Sequence, residues 1–151
     1  MASSEVQITN LLYRYAELID SGDFDALGEL FAHARIDLVG DDGGTETGMP
    51  GDQVGQMMSD RVIRYDDGTP KTKHVITNPI VEVDDDAGTA ECRSYYTVFQ
   101  KADGDQPLQP IIAGRYVDRF ERVDGVWRWS YRDYSRIDQI GDLRRHLHRT
   151  L

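Results

Sequence analysis

The chain has 151 residues, with 27 acidic and 17 basic side chains and a formal net charge of -10. This length predicts one domain, residues 1–151, large enough to bury a core without disulfides. No run of Lys or Arg forms a basic block, which argues against nucleic acid or an anionic membrane as a partner. Cys92 has no second cysteine to pair with, and neither a signal peptide nor a membrane-spanning apolar run is evident, so we expect a cytoplasmic protein.

Two helices are predicted at the start of the chain. Ser3 or Ser4 can cap the first helix, and Ser4 with Gln7 fits a capping box. Asp23 is a suitable N-cap for a second, short helix after the break at Ser21-Gly22. The apolar positions recur at helical spacing and are Ile8, Leu11, Leu12, Tyr15, Leu18 and Ile19 in the first helix and Phe24, Leu27, Leu30 and Phe31 in the second.

The next segments predict a short strand over residues 35–39, a polar loop over 41–51 and a third helix over about 52–65. From residue 74 onward the period becomes strand-like, and four β segments are predicted over 74–84, 89–100, 108–123 and 126–138. Asp124-Gly125 predicts a hairpin between the last two segments. The charged tail, from about residue 139, is expected to be mobile. Helices followed by antiparallel strands predict an α+β fold whose curved sheet, wrapped over about three helices, encloses a ligand pocket.

The chain resembles a known family. Four segments carry the resemblance: YAELIDSGDFDALGELFA, KHVITNPIVEV, AECRSYYTVFQ and AGRYVDRFERVDGVWRWSYRDY. They are similar to the SnoaL-like branch of the nuclear-transport-factor-2-like superfamily, in the style of scytalone dehydratase and hexachlorocyclohexane dehydrochlorinase, over residues 6–138. The resemblance implies a cone-shaped α+β barrel, often a homodimer or homotrimer through the sheet.

The resemblance also implies a site. Both named relatives use an Asp-His dyad, whose positions correspond to Asp20 and His74 here. The dehydrochlorinase has a lysine five residues before its acid, where this chain has Tyr15. Scytalone dehydratase has a tyrosine directly before its acid, where this chain has Ile19. These departures separate the chain from the substrates of those two enzymes and leave the dyad positions intact.

The dyad residues each have two interpretations. Asp20 is either a carboxylate that orients His74 or an Asx-turn residue at a helix end. His74 is either a general base or a structural strand residue, and strand alternation places Asn78 and Ile80 on its face. Tyr15 is either a core aromatic or a phenol that donates to a substrate oxygen. The other three histidines, His33, His146 and His148, are expected at the surface or in the tail.

Further pocket candidates come from the strands. Tyr95 and Tyr96 point to opposite faces, so one of them should face the interior. Asp118 shares an inward face with Tyr116 and needs a partner. Arg132, like Arg115, either binds an anionic group or forms a solvated salt bridge. The predicted pocket residues are Ile19, Asn78, Tyr95, Tyr96, Tyr116, Asp118 and Arg132.

Three functions fit this pattern. The first is a lyase, dehydratase or isomerase without cofactor or metal, in which His74 removes a proton from a small hydrophobic cyclic substrate, oriented by Asp20 and assisted by Tyr15. The second is a polyketide cyclase that uses the same base for ring closure. The third is a binding or interaction domain for a small hydrophobic ligand, without chemistry.

Overall fold

The computed structural model describes residues 1–149 and 151, and within them the chain forms three α-helices and seven strands. The helices are α1 (Ser4–Ser21), α2 (Phe24–Leu30) and α3 (Val54–Arg61), the last preceded by a 3₁₀ turn at Gly51–Gln53. The strands are β1 (Arg35–Val39), β2 (Thr45–Pro50), β3 (Thr72–Asp84), β4 (Thr89–Gln100), β5 (Gln109–Val123), β6 (Val126–Asp133) and β7 (Ile137–Ile140).

The strands form one mixed, curved and unclosed sheet in the order β2-β1-β6-β5-β4-β3, with β7 paired to β5 beside this path. The β1–β6 pairing is parallel and the other pairings are antiparallel. Helix α1 packs against β3 and β6, and α2 packs against α1 and α3. The three helices therefore cover one face of the curved sheet, which confirms the predicted α+β architecture.

The helix ends follow local sequence chemistry. Ser3 caps α1, because its hydroxyl oxygen accepts the backbone N–H of Val6, while Gln7 donates to the carbonyl of Ala2. The expected Ser4–Gln7 capping box is therefore wrong. Gly22 ends α1 at a φ of 77°, a conformation that favours glycine. Asp23 caps α2 as predicted, by accepting the backbone N–H of Ala26.

Strand β2 lies where the sequence predicts a polar loop. Its side chains are exposed or half-buried, and it pairs only with β1 at the edge of the sheet. An edge strand needs no apolar face when neither side is covered, so β2 carries no hydrophobic alternation. Helix α3 is also shorter than predicted, because Val62 is extended and bridges to Leu147.

Two β-bulges change which residues face inward. In β3 the register shifts between Thr77 and Ile80, and Asn78 has a φ of 43°. Between β5 and β6 the register shifts beside Phe120, which pairs with Trp129 while Arg119 pairs with Tyr131. Because a bulge adds one unpaired residue, every later side chain moves to the opposite face.

The segment after β6 also departs from the prediction. The predicted strand 126–138 is divided into β6 and β7, and β7 returns to pair with β5. The tail packs on the domain, with Leu143 and His146 buried. Ile63 donates its N–H to the carbonyl of His146, and His148 donates to that of Arg61. The described residues of the tail therefore pack against the domain, and its mobility stays a prediction.

Candidate active site

Asp20 and His74 meet where the end of α1 lies against the start of β3. The Oδ1 atom of Asp20 lies 2.7 Å from Nδ1 of His74. The same carboxylate accepts the His74 backbone N–H at 2.8 Å through Oδ2 and the Thr72 hydroxyl at 2.9 Å through Oδ1. Both dyad side chains are largely buried. Three donors from two residues of β3, Thr72 and His74, therefore fix the orientation of the Asp20 carboxylate.

This geometry assigns the proton on the imidazole. A carboxylate only accepts hydrogen bonds, so Nδ1 of His74 carries the proton that it donates to Asp20. Nε2 then holds a lone pair, which is the form a general base requires. If Nε2 gains a proton, the adjacent carboxylate stabilises the resulting imidazolium.

His74 lines a cavity of about 130 Å³ between the helices and the concave face of the sheet. An engineered cavity of about 150 Å³ in another protein holds benzene, so this space suits one six-membered ring. Its wall is largely apolar and includes Ile19, Met58, Val98 and Ile112. A larger groove of about 510 Å³ lies between α3 and the tail, but it is lined by charged groups and does not include the dyad. The smaller cavity is therefore the candidate site.

Three tyrosines form one side of this cavity. Tyr15 lies with its ring edge to His74, at a centroid distance of 6.1 Å. Its hydroxyl is 3.4 Å from that of Tyr116, and Tyr96 stacks on Tyr116 with centroids 4.3 Å apart. Burial raises the pKa of Tyr15 and Tyr116 well above the ordinary value of 10.0. These phenols therefore stay protonated and can donate hydrogen bonds.

A buried ion pair outside the cavity lining packs against these tyrosines. Arg132 and Asp118 are both 0% exposed and are joined by two hydrogen bonds, of 2.7 and 3.0 Å. Trp129 donates a third hydrogen bond to Asp118, at 3.0 Å. The Arg132 guanidinium lies 3.8 Å from the ring centroid of Tyr116 and 4.3 Å from that of Tyr15. Burial acts to lower the pKa of Arg132, but the charge and hydrogen bonds of Asp118, together with Tyr134 and Tyr15, hold the pKa well above its ordinary value.

The structure brings together most of the predicted site residues. His74, Tyr15, Ile19, Tyr96 and Tyr116 line the cavity, and Asp20 contacts His74. Asp118 and Arg132 lie behind the wall and bind each other, so the expected solvated salt bridge of Arg132 is wrong. Arg115 does form an exposed pair, with Asp138.

Two predicted pocket residues lie elsewhere. Tyr95 is 56% exposed on the outer face of β4, because strand alternation directs Tyr96 inward instead. Asn78 is exposed at the bulge of β3, which also leaves Ile80 exposed and turns Val81 toward the core. Regular alternation from His74 would place the Asn78 amide on the cavity wall. Because of the bulge, this side chain lies at the surface instead.

Sequence reasoning missed His146 and Tyr134, which both line the cavity. His146 is 7% exposed and lines the same cavity as His74, whereas His33 and His148 are exposed as predicted. A signal existed in the tail: Leu143 and Leu147 are spaced four residues apart, as on one buried face of a helical turn. His146 lies next to this pair.

The described residues, 1–149 and 151, include no group of three His, Cys, Asp or Glu side chains arranged to hold a metal ion. Within the same part of the chain, no helix has the length and apolar character needed to cross a membrane.

Comparison with known proteins assigns the chain to a family. The family model described as "SnoaL-like domain" matches residues 1–133. The chain therefore belongs to the SnoaL-like family, as the sequence resemblance implies. No curated protein matches it.

Solved structures share the fold at low sequence identity. A protein of unknown function with a cystatin-like fold from Nostoc punctiforme is 20% identical, with a TM-score of 0.71, covering 95% of this chain and 97% of that one. LinA is 22% identical, with a TM-score of 0.66 and coverages of 93% and 89%. A proposed scytalone dehydratase from Novosphingobium aromaticivorans is 15% identical, with a TM-score of 0.63 and coverages of 97% and 95%. These likenesses establish the fold alone.

Proposed function

We propose that this protein is a cofactor-independent lyase of the dehydratase type, or an isomerase, that acts on a small hydrophobic cyclic substrate. One observation carries the proposal: the 2.7 Å contact between Asp20 Oδ1 and His74 Nδ1, at the wall of a largely apolar cavity. The SnoaL-like family includes dehydratases and a dehydrochlorinase, which is consistent with this chemistry.

In the dehydration reaction, Nε2 of His74 takes a proton from a ring carbon next to a carbonyl. The electron pair of the broken C–H bond forms a C=C bond as the C–O bond to the leaving hydroxyl breaks. The imidazolium then returns its proton to the departing oxygen, which leaves as water. In an isomerisation the same proton returns to another carbon, so the base is regenerated in both reactions.

Each neighbouring group has a role in this scheme. Asp20 holds the imidazole by Nδ1 and stabilises its protonated form. Tyr15, kept neutral by burial, donates toward the negative charge that develops on the substrate oxygen. The apolar wall excludes water, which strengthens both interactions.

The test uses 3-hydroxycyclohexanone, a single ring with an acidic C–H and a leaving hydroxyl at adjacent carbons. Elimination yields cyclohexenone, whose conjugated double bond is followed by ultraviolet absorbance. We expect His74→Gln to lower the rate roughly 10²–10⁴-fold, the usual contribution of a positioned base. The fold should persist in this variant, because the Thr72 hydroxyl and the backbone N–H of residue 74 still bind Asp20.

His148→Gln is the matched control, since His148 is exposed and outside the cavity. It should leave the rate unchanged. If the elimination rate is equal in the native protein and in His74→Gln, His74 is not the base. Formation of a new ring from an open-chain substrate, instead of cyclohexenone from this probe, would favour the cyclase function. Binding of ring compounds without turnover would identify a ligand-binding protein.

A further inference from the structure

His146 is held rigidly at the cavity by the segment that follows β7. Val62 and Leu147 form a β-bridge, and the backbone N–H of Ile63 donates to the His146 carbonyl at 2.8 Å. The backbone N–H of His148 donates to the carbonyl of Arg61 at 2.9 Å. Backbone contacts at His146 and at the two residues after it thus hold this segment at the cavity, whose wall also contains His74.

The His146 ring has an unmet hydrogen-bonding group. Its Nδ1 atom is buried and has no hydrogen-bond partner among the residues that the structure describes. A buried polar atom left without a partner costs roughly 1–3 kcal/mol, and such an atom in a native fold calls for a specific explanation. Nδ1 itself is closed to solvent, and the ring lies in the cavity wall, so an oxygen of a bound molecule becomes its partner when the ring turns toward the cavity.

The charge state of His146 limits what it can do. Burial lowers its pKa to about 4, and the charge of His74 adds to this effect while Asp20 partly opposes it. The ring is therefore neutral near pH 7, with one N–H donor and one acceptor nitrogen. A neutral imidazole binds an oxygen atom by hydrogen bonding and does not give up its proton, so it complements the base without competing with it.

We propose that His146 is a second substrate-contacting residue, which hydrogen-bonds a carbonyl or hydroxyl oxygen of the cyclic substrate while His74 acts on the adjacent carbon. This inference rests on the proposed function and assigns a cavity residue that recognises an oxygen of the ring. His146 then adds a polar contact, beside those of His74 and Tyr15, to a cavity whose wall is otherwise largely apolar.

The experiment compares binding of cyclohexanone and methylenecyclohexane, two rings of similar shape of which only the first has an oxygen. Affinities are measured by chemical-shift titration of the native protein and of His146→Leu, His146→Gln and His148→Leu. We expect His146→Leu to lower the preference for cyclohexanone about three- to tenfold, the value of one neutral hydrogen bond. His146→Gln, which keeps a donor and an acceptor, should restore part of it, and His148→Leu should change nothing.

A second measurement uses the native protein alone and so does not depend on how the variants fold. The ¹⁵N resonances of the His146 ring should shift when cyclohexanone is added and stay in place with methylenecyclohexane. Unchanged resonances, an unchanged preference in His146→Leu, or no binding of cyclohexanone would each overturn the proposal.

The two proposals fail separately. If the preference survives His146→Leu but elimination of 3-hydroxycyclohexanone is lost in His74→Gln, then His146 has no substrate contact and the dyad chemistry stands. If the preference falls in His146→Leu but elimination is unaffected by His74→Gln, then the oxygen contact stands and the base is elsewhere.

Discussion

The buried Asp118–Arg132 pair gives a prediction whose magnitude follows from its burial. Both side chains are 0% exposed, and Asp118 accepts three hydrogen bonds, from Arg132 and Trp129. Asp118→Asn keeps the shape of the side chain but leaves the guanidinium charge uncompensated in the core. Breaking a buried pair in this way costs about 3–5 kcal/mol. A chain of this length has a free energy of unfolding of roughly 8–23 kcal/mol, so the loss is a large fraction of it.

The chain supplies a matched control. Arg115 and Asp138 form the same type of two-bond pair at the surface, with side chains 45% and 44% exposed. Solvent screens this pair, so Asp138→Asn should cost less than about 1 kcal/mol. The assay is equilibrium unfolding in urea, in which a loss of about 4 kcal/mol lowers the midpoint by roughly 2 M at a typical slope.

A double variant distinguishes the cost of the unpaired Arg132 charge from the cost of the lost hydrogen bonds. Asp118→Asn combined with Arg132→Met removes the stranded charge and keeps an acceptor for Trp129. We expect the double variant to be more stable than Asp118→Asn alone. Equal costs for Asp118→Asn and Asp138→Asn, or no recovery in the double variant, would refute the reasoning that burial sets the energy of this pair.

Three other predictions follow from single residues. Because burial lowers the pKa of His146 from 6.5 to about 4, the unfolded chain binds a proton that the folded chain rejects, so stability should be full above pH 6.5 and fall by roughly 3 kcal/mol toward pH 4. Urea unfolding of native protein and His146→Leu across this range checks it, and a pH-independent difference would contradict it. A Cβ at Gly114 would lie 2.7 Å from the Tyr96 hydroxyl and would overlap the Arg136 carbonyl, so Gly114→Ala should lower the thermal midpoint and disturb cyclohexanone binding. Burial raises the pKa of Cys92 to about 12, so a thiol reagent at pH 8 should react with it only at the rate of unfolding, and rapid labelling of native protein would show this to be wrong.

The elements with a strong period were predictable from the sequence. The caps and apolar stripes of α1 and α2 and the alternation of β4 reflect interactions within each segment, and their predicted bounds are close to those observed. The Asp124-Gly125 hairpin is confirmed, with both residues at positive φ and Val123 paired to Val126. Local chemistry determines these features, so reading them needs no knowledge of the tertiary structure.

Features that depend on tertiary contacts were not predictable in this way. The bulges at Asn78 and between Trp129 and Tyr131 leave no mark in a hydrophobic pattern, yet they decide which later residues face inward. The buried position of Arg132 follows from the second bulge, since the residue lies on the inner face only because the register shifts. Strand β2 is held at the sheet edge by β1 and not by its own side chains.

The same distinction between local and tertiary features applies to the candidate site. The positions of Asp20 and His74 came from the family resemblance, because each residue alone was better explained by a structural role. Their 2.7 Å contact joins residues 54 positions apart, a separation that no local pattern reports. His146 depends on a chain segment that returns to the cavity after the last strand.

All three hydrogen bonds to Asp20 join the end of α1 to the start of β3, but only one of them involves the proposed base. Two of them, from the Thr72 hydroxyl and from the backbone N–H of residue 74, do not involve the imidazole. A replacement of His74 that removes the proposed base therefore leaves the end of α1 joined to β3 by two hydrogen bonds. At this junction the proposed chemistry and the packing of α1 on β3 can therefore change independently, and Asp20 keeps a structural role whether or not residue 74 is a histidine.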